Sequence, residues 1–163
     1  MKFLKFVLIS LSLLAASAVS AQTIAVPAPL ARPVALSAKV LQSVTDDIGS
    51  KYARYKCSGP LEQNIEAGQI DLGPQLRSAV VVKPKHNCLC GASNCRYWLF
   101  NGETPIGRVN ALSFKVNTAQ TSQGGYELTA VSGSTGNTTE TKVRYNGSLY
   151  IEQQDLSSLI PQN

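Results

Sequence analysis

The sequence predicts an α+β, mainly β, domain in which one N-terminal amphipathic helix packs on an antiparallel meander of five or six strands, stapled by disulfides. Three observations predict it. Apolar residues recur with helical spacing between Ser37 and Cys57. From residue 79 onward the period changes to two, with Gly- and Asn-rich punctuation. The chain also carries an even number of cysteines, four, spread from the helix end into the first strands.

The elements follow in order. MKFLKFVLISLSLLAASAVSAQ has Lys2 and Lys5 ahead of an apolar run, Phe6 to Ala18, and small residues in Val19-Ser20-Ala21. It reads as a signal peptide, residues 1–21, cleaved before Gln22. The run falls short of the roughly 20 apolar residues that span a bilayer, so no membrane insertion is expected after cleavage. Residues 22–36, QTIAVPAPLARPVAL, hold three prolines and no helical or strand period, and read as an extended, flexible leader. A single domain, 37–155, follows, with a short tail at 156–163.

Ser37 is placed to cap the helix, and Val40, Leu41, Val44, Ile48, Tyr52 and Tyr55 fall within an arc of about 120° at 100° per residue. Gly49 lies on the opposite face, and Asp47 and Lys51 stand four apart in the favourable order for an ion pair. Cys57 comes directly after the helix. A polar connection, Ser58 to Gly68, leads to the strand signals AVVVKP (79–84) and RYWLFNG (96–102). Leu112-Phe114-Val116, Tyr126-Leu128-Ala130 and Thr139 to Tyr145 then alternate with polar residues, and Asn146-Gly147 is a hairpin signal ahead of Leu149-Tyr150-Ile151.

Charge argues against nucleic acid as a partner. Without Lys2 and Lys5 the formal charge falls from +5 to +3, and the remaining basic residues form no dense run. Only 15% of residues are charged, against roughly 25% in ordinary soluble domains, which suits a β-rich exported domain.

Cys57, Cys88, Cys90 and Cys95 in an oxidising compartment read as two disulfides. A Cys88–Cys90 bridge would close a strained ring. Two pairings remain: Cys57–Cys88 with Cys90–Cys95, or Cys57–Cys90 with Cys88–Cys95. The first is favoured, because it makes GASN a tight loop and ties the helix end to the sheet. The same loop holds the one histidine, His86, so an alternative is a zinc or copper site of His86, Cys88, Cys90 and Cys95. Its H-x-C-x-C-x4-C spacing lacks the paired knuckles of structural zinc sites. No cofactor or metal is expected.

No catalytic residues are expected. There is no Gly-x-Ser-x-Gly elbow, paired cysteines offer no thiolate, and nothing in the sequence brings any two of Asp71, Glu103, Glu127 and Glu140 together. Tyr97, Trp98, Phe100, Tyr126 and Tyr150 are the candidate binding strip, on the premise that aromatic side chains stand on an open sheet face. Strand alternation turns only one of Tyr97 and Trp98 inward. Asn137-Thr138-Thr139 and Asn146-Gly147-Ser148 match the glycosylation acceptor pattern, which matters only in a eukaryotic secretory route.

YARYKC, QIDLGPQLRSAVVV, CLCGASNCRYWLF and GYELTAVSGSTGNTTETKVRYNGSLY stand in this order between about residues 37 and 152. The order resembles a group of small exported bacterial proteins, largely uncharacterised, that have a helix-Cys, a D-L-N-x-D-G-x-P-D-L-V-V strand motif, a C-x-C-G-x3-C loop and an aromatic β-meander. Where that group has an acidic turn, this chain has Asp71-Leu72-Gly73-Pro74-Gln75, one carboxylate against the six to eight oxygens of a calcium site. The resemblance implies this fold and a periplasmic or secreted location, and no activity. The expected function is a non-catalytic binding protein of the bacterial envelope, an inhibitor or immunity-type partner of an envelope-acting enzyme. Its protein partner is unspecified. Metal handling through the cysteine loop and envelope hydrolysis are the alternatives.

Overall fold

The computed structural model describes residues 23–26, 32–134 and 137–153. The expected signal peptide and C-terminal tail lie outside these residues. The fold is α+β and mainly β; the described residues form ten strands in two five-stranded antiparallel sheets. This is more than the single meander of five or six strands that alternation predicts.

In chain order, β1 (Thr23–Val26), β2 (Arg32–Val34) and α1 (Ala38–Ile48) come first, and a 3₁₀ turn (Gly49–Arg54) extends α1. A one-turn helix α2 (Leu61–Asn64) runs straight into β3 (Ile65–Ile70), followed by β4 (Ala79–Pro84), β5 (Cys95–Asn101) and β6 (Thr104–Ala111). The chain ends in β7 (Ser113–Ser122), β8 (Gly125–Ser134), β9 (Asn137–Tyr145) and β10 (Tyr150–Glu152). One sheet has the order β2-β3-β4-β5-β6 and the other β1-β7-β8-β9-β10.

Burial defines three layers. Residues from both sheets meet in an inner core that includes Val81, Leu99, Val109, Phe114, Leu128 and Val143. The opposite face of the β2–β6 sheet carries a second core, where Val40, Val44 and Ile48 of α1 pack on Ile65, Val82, Trp98 and Phe100. The order is therefore helix, sheet, sheet. Ser37 caps α1 as expected, its Oγ accepting from the Val40 amide at 3.3 Å.

Several expectations change. Gly49 ends the α-helix: its φ of 54° is left-handed, and its amide donates to the Thr45 carbonyl. The apolar arc continues only as the tighter 3₁₀ turn. Within the stretch read as a flexible leader, β1 pairs with β7 and β2 with β3, so this one segment supplies an edge strand to each sheet. The connection from Ser58 holds α2 and the start of β3, whose Ile65, Ala67 and Ile70 are buried while Glu66 pairs across the ladder with Lys83 at 2.9 Å. β6 is concealed in sequence by Pro105 and Gly107. Pro105 is tolerated because β6 is an edge strand, and a bulge at Ile106 absorbs the irregularity.

The disulfides take the favoured pairing. Cys57–Cys88 and Cys90–Cys95 are bridged, with Cα separations of 5.1 and 4.1 Å. The first ties the segment after α1 to the β4–β5 connection.

The Asp71 turn is a plug between the sheets. Asp71 Oδ1 accepts from the Gly73 amide at 2.9 Å, Leu72 is fully buried, and the Leu72 carbonyl accepts from the Tyr126 amide. A Cβ on Gly73 would lie 2.7 Å from the Gly124 carbonyl oxygen, which makes glycine obligatory there.

Candidate functional site

The expected aromatic strip is core. Strand β5 is covered on both faces, so alternation sends Tyr97 and Leu99 into the inner core and Trp98 and Phe100 under α1. Tyr97 meets Phe114 edge-on at 5.3 Å and donates its hydroxyl to the Leu112 carbonyl at 2.8 Å; burial raises its pKa. Tyr150 stacks at a tilt on Tyr145 and donates to the carbonyls of Leu72 and Tyr126, each at 3.1 Å. Burial, then the nearby Tyr145 and Asp71, raises the Tyr150 phenol far above its ordinary value. Tyr126 is half-buried against the same core. An open-face strip needs a sheet with one bare face, and β5 has none.

The alternative metal set fails on chemistry. All four sulfurs are in disulfides, so Cys88, Cys90 and Cys95 present no thiolate, and His86 stands exposed before a short 3₁₀ turn. Among the described residues no group of three or more His, Cys, Asp or Glu is placed to hold a metal.

Nor do the four candidate carboxylates pair with one another. Asp71 serves its turn, Glu103 faces Lys39 at 3.9 Å, and Glu140 faces Lys115 at 3.6 Å. Glu127 is held by Arg144 and Lys142.

What the fold does assemble is a cleft where α1 crosses β5 and β6. Asp47, expected to pair with Lys51 along the helix, points to the sheet instead. Its Oδ2 accepts from Trp98 Nε1 at 2.8 Å and from Arg96 Nη1 at 3.0 Å, and its Oδ1 takes Arg108 Nη1. Burial alone would raise the Asp47 pKa; the Trp98 hydrogen bond and the charges of Arg96 and Arg108 outweigh it and hold the carboxyl below its ordinary value. The arrangement fixes one end of the helix to the sheet and orients both guanidinium groups.

Beside this hub lies a cavity of about 450 Å³, with Asp46, Trp98, Phe100, Pro105, Arg108 and Leu149 among its lining residues. Leu149, from the Asn146-Gly147 turn, is 47% exposed and is a large apolar side chain open to solvent there. Asp46 Oδ1 accepts from Gln42 Nε2 at 2.7 Å. Gly107 lets the two sheets close at this edge, since a Cβ there would lie 3.0 Å from Tyr150 Cβ. The cleft thus brings apolar and aromatic side chains together with a carboxylate and a guanidinium.

Compared with protein-family models, curated proteins and solved structures, the chain matches none of them. Function must therefore be argued from the geometry alone.

Of the cleft residues, Asp46, Asp47, Arg108 and Leu149 are not among the site candidates expected from sequence, whereas Trp98 and Phe100 are. One signal for Asp47 was present: at 100° per residue it falls about 20° outside the apolar arc, against Val40. Arg108 and Leu149 reach the cleft only through the β6 bulge and the β6–β10 seam, and no local pattern announces either.

Proposed function

We propose that the chain is an exported, non-catalytic binding protein of the bacterial envelope, an inhibitor or immunity-type partner of an envelope-acting enzyme, and that it grips its partner at the α1–β6 cleft. The observation that carries this reading is the cleft itself, which Trp98, Phe100, Pro105 and Leu149 line together with Asp46 and Arg108. A partly exposed aliphatic anchor beside aromatic walls and charges of both signs suits a protein surface. The occupant that fits is an apolar side chain of the partner flanked by a basic group, which Asp46 receives. Two disulfides accord with an oxidising compartment. Among the described residues no helix is long and apolar enough to cross a membrane.

The test has two arms. Expressed with its N-terminal segment in a bacterial host, the chain should be recovered outside the cytoplasm, beginning at Gln22 and lacking the four hydrogens lost to two disulfides. A photo-crosslinking residue at position 149 should then give a discrete protein adduct that a crosslinker at the exposed Thr139 does not, and Asp46→Lys should remove it. Cytoplasmic retention with free thiols refutes export. Equal adducts from positions 149 and 139 refute the cleft.

A further inference from the structure

Among the described residues no helix packs on the outer face of the β1-β7-β8-β9-β10 sheet, and most side chains there meet solvent. Glu127 is the exception. Alternation along β8 puts it on this face, yet its side chain is only 3% exposed. The cover comes from a local departure in β7. Asn117 pairs with Glu127 and Thr121 with Tyr126, so β7 spends three more residues than β8 over this step and forms an excursion. Asn117 Oδ1 accepts from the Ala119 amide at 3.2 Å and helps to shape it. Between the excursion and β9 lies a cavity of about 530 Å³ lined by Gln120, Thr121, Ser122, Glu127 and Arg144.

Arg144 reaches Glu127 from the neighbouring strand β9. Its Nε donates to Glu127 Oε2 at 2.7 Å. Lys142 Nζ lies 3.4 Å from Glu127 Oε1, near enough for charge attraction, although that oxygen receives no hydrogen bond. The three charged groups sum to one excess positive charge. The Nε contact occupies one of the five guanidinium donors, and no described residue takes up the terminal Nη groups, which leaves the planar fork for a ligand. Burying a carboxylate on a solvent face has a desolvation cost that an apolar residue there would avoid. What the carboxylate does supply is a fixed orientation for Arg144.

We infer that this cavity is an oxyanion-binding site, in which the Arg144 fork, oriented by Glu127 and supported by the charge of Lys142 and the hydroxyls of Thr121 and Ser122, receives a carboxylate or phosphate group. A fork-to-oxyanion contact is bidentate and charge-assisted, and the excess positive charge favours an anionic ligand. The site lies on the sheet that does not carry α1, so it is separate from the helix-side cleft and does not depend on the function proposed there.

The experiment is a heteronuclear NMR titration of the disulfide-bonded chain with inorganic phosphate and with acetate, against sodium chloride at matched ionic strength. The expected result is saturable shifts at the Arg144 Nε–H and the Thr121 and Ser122 amides with phosphate, acetate or both, and none with chloride. The two anions separate a phosphate from a carboxylate preference. Arg144→Gln should weaken binding about tenfold or more, the loss of one charge-assisted contact. Arg144→Lys keeps the charge and loses the fork, and should weaken it by a similar factor. Thr121→Val, on the excursion, gives a second reading should the Arg144 variants fail to fold, with an expected loss of a few-fold. Absence of saturable shifts overturns the inference. So does unchanged affinity in Arg144→Lys, which would reduce the site to diffuse positive charge, or unchanged affinity in Thr121→Val if that alone can be measured.

Discussion

Replacing Asp47 with Ala tests the hub that joins helix to sheet. Three donors converge on that carboxylate, from Trp98, Arg96 and Arg108. Truncation strands the Trp98 Nε1–H beneath α1, where the residue is only 5% exposed, and an unsatisfied buried donor costs about 1–3 kcal/mol. The Arg96 and Arg108 side chains are 27% and 54% exposed, so their pairs add about 0.2–1 kcal/mol each. The expected loss is about 2–4 kcal/mol, a large share of the roughly 5–15 kcal/mol that stabilises a typical domain. Trp98 is the one tryptophan of the chain, so its fluorescence in a urea titration reports unfolding from within the hub. The pH arm has a definite sign. The Asp47 carboxyl is held below its ordinary value of 3.8, so its stabilisation is present above that pH and lost as pH falls through the lower folded value. Wild type and Asp47→Asn should therefore differ in stability at neutral pH and converge upon acidification below 3.8. An Asp47→Ala change below about 0.5 kcal/mol, the range of an ordinary surface substitution, would refute the reasoning.

Three further outcomes follow from the fold. Removing the Cys57–Cys88 bridge, which spans 31 residues, should cost about 3–4 kcal/mol on the chain-entropy account, and removing Cys90–Cys95, which spans 5, should cost less; denaturant midpoints of the paired Cys→Ala variants test the order. Deleting residues 22–34 uncovers the edges of β7 and β3 together, so size-exclusion and light scattering should show more self-association than for the intact chain. Gly107→Val places a side chain against Tyr150 at a φ of 144°, and should destabilise by about 1–3 kcal/mol in thermal unfolding.

Much of the fold was legible because its signals are local. Val40, Val44 and Ile48 mark the helix stripe, Asn146-Gly147 marks the last hairpin, and cysteine spacing favoured the pairing that occurs. The missing elements lacked such signals. β2 and β6 each contain a proline, which edge strands accept and sequence patterns penalise, and β3 mixes Glu66, Gly68 and Gln69 among its buried positions. The second sheet had to be inferred from long-range pairing, and alternation cannot tell one double-faced layer from a meander open on one side. That ambiguity turned Tyr97, Trp98 and Phe100 into surface candidates when they are the walls of two cores, Trp98 and Phe100 reaching only the cleft beside α1.

The same reasoning explains why both candidate sites were hidden. In each, the decisive residue breaks the rule that serves best elsewhere. Asp47 sits at the edge of an apolar stripe, where a carboxylate is expected to face water and pair along its own helix; here it is turned inward by an indole and two guanidinium groups from the sheet. Glu127 lies on the solvent side of an alternating strand, yet it is buried where β7 gains three residues over its neighbour and where Arg144 and Lys142 close on it. A pattern of period two or 3.6 describes an element against an average environment. The groups with unusual environments are those that a second element, distant in sequence, encloses. For this chain the departures from periodicity, the β6 bulge at the cleft and the β7 excursion over Glu127, therefore locate the sites better than the regular strands do.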